Sequence, residues 1–279
     1  MTPPAAVPRF ARPIVGLVVT AVIAGLASCA TSPTGRRQLK LFPDEQIAAM
    51  GVRSFQSLKQ DRPISQDPAV DGYVRCVADA LITELAPQWQ SGWEVVVFED
   101  RTANAFALPG RKIGVHTGLL AVARNQDQLA TVIGHEIGHV LASHGNERVS
   151  QEQLAQIGLA TVAAMTDPNT AAGRSTLAAL GLGAQYGILL PFSRSHETEA
   201  DAIGLDLMAR AGFEPSESVR LWQNMAAASG GRRPPEWMST HPSNQRRIDD
   251  LSLSVPAANR LRDAARKAGK RPSCTPAAG

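Results

Sequence analysis

The chain has 279 residues, 44% of them hydrophobic and 19% charged, which suits one globular domain of ordinary core size plus appendages. Its net charge is +3, two of it from Arg9 and Arg12 in a segment read below as removed. With so small a basic excess and no basic aromatic motif, nucleic acid is not an expected partner.

Arg9 and Arg12 precede an uncharged apolar run, Ile14 to Ala27, shorter than the roughly 20 residues of a spanning helix and typical of a secretory h-region. The run closes on Leu26-Ala27-Ser28-Cys29, which resembles a bacterial lipobox. That resemblance implies a signal peptide over 1–28 and a lipid-modified Cys29. Thr31, two residues after the cysteine, resembles the sorting signal for the inner leaflet of the outer membrane. Export places Cys76 and Cys274 in an oxidising periplasm, where a disulfide between them is one outcome. Residues 29–43 are rich in Ser, Thr, Pro and Gly and read as a flexible tether. A helix starts at Pro43-Asp44-Glu45, and a second runs from Asp67 to Ala86 with Val70, Tyr73, Val74, Val77 and Leu81 at helical spacing. Trp93 to Phe98 is a strand, and Asn104 to Leu108 pairs with Lys112 to Val115 across Pro109-Gly110. A long helix spans Asn125 to Val149. Two apolar arms, Ala155 to Met165 and Leu177 to Leu190, read as a helical hairpin over 151–190. Helices then follow over His196 to Ala211, Ser216 to Ser229 and Ser243 to Leu253, with a tail over 256–279. The fold class is α+β, mainly α, with a small sheet, and the folded domain spans 44–255.

His135-Glu136-Ile137-Gly138-His139 carries the chemistry. A four-residue helical step leaves the two imidazoles about 40° apart on one face, ready to share a zinc ion. Glu136 lies close enough to act as general base on a water. A catalytic zinc takes three protein ligands. A histidine six residues after His139 would be one solution, but that position is Gly145. His144 points elsewhere if the helix continues and reads as a solvent or cap histidine. Glu197 is the better candidate, with His196 beside it as an alternative. Asp201 lies one turn on, where it can accept the N–H of a zinc-bound histidine, while Glu199 points away.

These residues, together with Ser193 to Asp201 and Ser239-Thr240-His241-Pro242-Ser243-Asn244-Gln245-Arg246-Arg247, resemble the zinc metallopeptidase family of HtpX, the CAAX prenyl protease, BepA and LoiP. Thr34-Gly35-Arg36-Arg37-Gln38-Leu39 resembles the start of its exported members. The resemblance covers Gly35 to Leu251 and implies a gluzincin-type domain holding one Zn2+ per chain on His135, His139 and Glu197. It also implies that His241 and Arg247 are active-site residues, either of which could stabilise an oxyanion. The expected activity is peptide-bond hydrolysis on unfolded or misassembled envelope proteins, at a membrane reached through the lipid anchor. The alternative is a non-catalytic chaperone, or a peptidase autoinhibited by His241 in the open zinc position.

Overall fold

Near the N-terminus, β1 (Cys29–Thr31) and β2 (Arg37–Leu39) pair antiparallel around a turn at Gly35. They are followed by α1 (Asp44–Asp61), α2 (Pro68–Ile82), β3 (Glu94–Phe98), β4 (Ala105–Leu108) and β5 (Lys112–His116). The helices α3 (Gln126–Leu141), α4 (His144–Met165), α5 (Arg194–Arg210), α6 (Glu217–Ser229), α7 (Glu236–Thr240) and α8 (Gln245–Lys267) complete the order. The computed structural model describes residues 29–166, 169–172, 174–175, 193–229, 236–241 and 245–275. The leader over 1–28 and the second apolar arm, Leu177 to Leu190, lie outside the described residues. Among those described, no helix is long and apolar enough to cross a membrane.

The sheet order is β3-β5-β4, with β3 parallel to β5 and β4 antiparallel to it. The expected hairpin is therefore present, and β4 is left as an edge strand beside α3. Residues of α2 at helical spacing, Tyr73, Val74, Val77 and Leu81, are buried with Val97, Ile113 and Val115 of the sheet and with Leu129, Ile133 and Ile137 of α3. Gly114 has a local reason. A Cβ there would sit 2.3 Å from the Phe106 ring, so only glycine lets that ring lie across β5.

The crossing of α3 with α5 positions the site. Gly134 and Gly138 on α3 face Ala200 and Gly204 on α5, two pairs at i,i+4 spacing. A Cβ on Gly138 would lie 2.8 Å from the Ala200 carbonyl oxygen, and one on Gly204 would lie 2.7 Å from the His135 amide nitrogen. The two backbones thus touch with no side chain between them. Helix starts are set by polar caps. The Asn125 side chain accepts the Gln128 N–H at the head of α3, and Ser193 accepts the His196 N–H at the head of α5.

Three expectations are corrected. The helix expected over Asn125 to Val149 breaks after Leu141, because Ser143 adopts a left-handed φ of 53°, and α4 restarts at His144. Residues 29–43 are not a free tether: Leu41 N–H donates to Ser150 Oγ, and the β1–β2 hairpin is bound to the domain by Arg36 and Gln38. The last helix runs through the boundary expected at 256, since α8 continues past Pro256 to Lys267. Proline removes one N–H and frees the carbonyl four residues earlier, that of the exposed Ser252, which can meet water. Buried Ala258 and Ala265, and Arg266 Nε donating to the Gly212 carbonyl at 2.9 Å, hold the rest of α8 down. Beyond it Cys274 is bonded to Cys76 of α2, with 5.7 Å between their Cα atoms.

Replacing Gly138 by Ala tests the crossing. We expect a loss of roughly 1–3 kcal/mol in urea unfolding together with weaker zinc retention. Gly72→Ala, in an open, exposed position of α2, should instead gain up to about 1 kcal/mol. Equal midpoints for the two variants would contradict the close-packing account.

Candidate metal centre

The close approach of α3 and α5 sets His135 and His139 opposite Glu197, all of them buried. His139 Nε2 lies 3.0 Å from His135 Nε2 and 3.4 Å from Glu197 Oε1, and His135 Nε2 lies 3.5 Å from Glu197 Oε2. Tetrahedral zinc with bonds of about 2.0–2.2 Å separates its ligand atoms by roughly 3.3–3.5 Å, so the three donors fit that ion. His241 joins them, and the four ligand atoms lie within 4.8 Å of one another.

The remaining ring nitrogens confirm the fit. His135 Nδ1 contacts Asp201 Oδ1 at 2.9 Å, and His139 Nδ1 contacts His144 Nδ1 at 2.9 Å. With protons on both Nδ1 atoms, both Nε2 lone pairs are free for a metal. Asp201 thus stands where it can accept the N–H of a ligand histidine. Arg247 holds the carboxylates from behind. Its Nε and Nη2 donate to Asp201 at 2.7 and 2.8 Å, its Nη1 lies 2.7 Å from Glu197 Oε2, and its guanidinium lies 4.5 Å from the Trp222 ring. The oxyanion role suggested for Arg247 is therefore corrected: its fork is spent on ligand-side carboxylates, which makes it a positioning residue.

Glu136 is 2% exposed and accepts two N–H donors. Ala107 of the edge strand donates its amide to Oε2 at 3.0 Å, and Trp237 Nε1 donates to Oε1 at 2.9 Å. Trp237 is fixed by stacking on Trp222, with ring centroids 5.1 Å apart, and by its own amide on the Ala103 carbonyl. His241, at the end of α7, lies with Nδ1 3.0 Å from Glu197 Oε1 and Nε2 3.4 Å from Glu136 Oε1. It therefore bridges the base and the ligand carboxylate.

Two histidines stand elsewhere than expected. His144 is fully buried because the break at Ser143 turns it back toward His139, and its Nε2 lies 3.1 Å from Glu199 Oε2. His196 is not in the ligand group; it stacks on His144 at 4.4 Å and contacts Glu147 at 3.0 Å. The weak helix formers Ser143-His144-Gly145-Asn146 are the sequence signal for that break.

Charge is shared unequally. Burial lowers the His135 pKa, but hydrogen bonds to Asp201 and Glu197 outweigh it and leave it at about 9. Burial holds His139 well below its ordinary value, helped by the charges of His135 and His241 against an opposing bond to Glu197. Burial would raise Glu197, yet bonds from His135, His139 and His241 keep it far below the carboxylate range.

The profile of peptidase family M48 matches residues 68–254. The mitochondrial metalloendopeptidase OMA1 of Schizosaccharomyces pombe is 38% identical over 172 residues, covering 61% of this chain and 49% of that protein. The OMA1 metalloendopeptidase of Bos taurus is 34% identical over 249 residues, covering 82% and 46%. The β-barrel assembly-enhancing protease of Yersinia pestis is 29% identical over 211 residues, covering 74% and 43%. The chain spans about half the length of the curated relatives it matches.

Because His135 holds a proton up to pH about 9 in the metal-free protein, zinc must displace it below that pH. Zinc affinity should rise with pH and level off above about 9. Calorimetric titrations at pH 7 in buffers of different ionisation enthalpy should show release of about one proton per zinc; buffer-independent heats would contradict this.

Proposed function

This chain belongs to peptidase family M48, and we propose that it is a zinc-dependent endopeptidase of the bacterial cell envelope acting on unfolded or misassembled proteins. One observation carries the reading: three metal-fitting donors converge beside a glutamate whose oxygens are both held by N–H groups. Zinc, when held by His135, His139 and Glu197, supplies Lewis acidity that polarises a carbonyl and acidifies a water. Glu136 takes the proton of the attacking water on a carboxylate oxygen and delivers it to the departing amine. Ala107 N–H and Trp237 Nε1–H keep that carboxylate aimed through both transfers. Burial of the whole group excludes bulk water and strengthens each of these contacts. The substrate lies extended along the outer edge of β4, adding a strand whose scissile carbonyl faces Glu136.

The envelope assignment rests on the leader, on Leu26-Ala27-Ser28-Cys29, and on the Cys76–Cys274 disulfide, which suits an oxidising compartment. A lipid on Cys29 places the enzyme on the periplasmic side of the outer membrane. Quality control is supported by the Yersinia pestis relative, named for β-barrel assembly.

Glu136→Gln should lower cleavage of casein or an unfolded envelope protein by about 10²–10⁴-fold with bound zinc unchanged. Cleavage that persists while zinc is retained would sink the mechanism.

A second reading is favoured by His241 lying among the metal-fitting donors. A histidine there closes the open position, so the resting enzyme is shielded until a substrate strand on β4 displaces α7. His241→Ala should then raise basal cleavage several-fold at equal zinc content. A fall in cleavage would place His241 in the chemistry instead.

A further inference from the structure

The Thr34-Gly35-Arg36-Arg37-Gln38-Leu39 stretch has no part in the reaction as derived above, yet its side chains reach the back of the metal centre. Arg36 Nε donates to Glu199 Oε2 at 2.7 Å, while its Nη1 and Nη2 donate to Glu147 at 2.9 and 2.6 Å. Thr34 Oγ1 donates to Glu199 Oε1 at 2.5 Å. Gln38 Nε2 donates to the Ala142 carbonyl and, at 3.3 Å, to Glu147 Oε2, so the hairpin lies across the α3–α4 break. Glu147 and Glu199 are both buried, and each holds one ring of the stacked His144–His196 pair.

Proton placement along this chain has one consistent solution. When His139 offers Nε2 to zinc, its Nδ1 carries the hydrogen and donates to His144 Nδ1. His144 is then protonated on Nε2, which donates to Glu199. Glu199 is an acceptor throughout, taking N–H groups from His144 and Arg36 and the hydroxyl of Thr34. A guanidinium suits this place because its planar fork serves two carboxylates at once, which a lysine ammonium cannot do with the same geometry.

We propose that Arg36 and Thr34 are positioning residues of the metal centre, acting on His139 through Glu199 and His144. Through this line of contacts the β1–β2 hairpin fixes the ring orientation and tautomer of one zinc ligand from outside the α3–α5 pair. The hairpin starts at Cys29, so the predicted anchoring residue and the support of the metal share one short element. This inference rests on the zinc reading above.

The test is zinc affinity, measured by chelator competition on the whole exported chain, with the unfolding temperature of the zinc-free protein recorded alongside. Arg36→Met should weaken zinc by roughly 10–100-fold, the range seen when a ligand's outer support is removed, and Arg36→Lys should recover only part of it. Lys40→Met, which removes contacts to Asp44 and Ser143 just beyond β2 without touching Glu199, should leave zinc affinity unchanged. Thr34→Val removes a single hydroxyl and serves if Arg36→Met does not fold; it should shift the visible absorption of the cobalt-substituted protein. A lower unfolding temperature with wild-type zinc affinity in Arg36→Met, or an unshifted cobalt spectrum in Thr34→Val, would overturn the proposal by making the strap a structural brace alone. Equal zinc loss in Lys40→Met would overturn the route through Glu199. Failure of the wild-type chain to bind zinc at all would instead overturn the reading on which this inference rests.

Discussion

Everything at the centre depends on how closely α3 can approach α5. Two helices carrying ordinary side chains pack 8–10 Å apart, and at Gly134, Gly138 and Gly204 no side chain intervenes. The smallness of those residues lets His135 and His139 on one helix reach Glu197 on the other across 3.4–3.5 Å. The same i,i+4 spacing that aligns the histidines also aligns Gly134 with Gly138 one residue earlier. Ligand face and contact face are adjacent stripes of a single helix, so packing and metal geometry are set together.

Around that crossing, His135, His139, Glu197 and Glu136 each have a dedicated holder. Asp201 takes His135, Arg247 takes Asp201 and Glu197, His144 takes His139, and the edge strand with Trp237 takes Glu136. Of the chain's six histidines, only His116 stands outside this assembly. So many buried ionisable groups are costly to bury singly; here each carboxylate faces a cation or an N–H, which keeps the cost down. The arrangement is rigid because it is satisfied, and it leaves few ways for the ligands to relax when the metal departs.

Much of the site was legible in the residues because helical spacing is a local property. His135, Glu136 and His139 read directly, and Glu197 with Asp201 followed from the same four-residue step, as did the β4–β5 hairpin from Pro109-Gly110. The rest depends on distant contacts. His144 was misplaced because one residue, Ser143, takes a left-handed backbone that restarts the helix in a new direction. The strap over 30–40 has the composition of a linker, and only Glu147 and Glu199, more than a hundred residues away, give its arginine a fixed position. Arg247 has the chemistry of an electrophile; its real place was decided by Asp201 and Trp222. Pro256 sits within α8 because its exposed face tolerates a lost hydrogen bond while buried alanines hold the helix.

The most direct measurement is anomalous diffraction at the zinc edge from crystals of the zinc-loaded protein. The account predicts one peak per chain at bonding distance from His135 Nε2, His139 Nε2 and Glu197. A peak instead at the neighbouring His144, His196, Glu147 and Glu199 group, or none between α3 and α5, would contradict it.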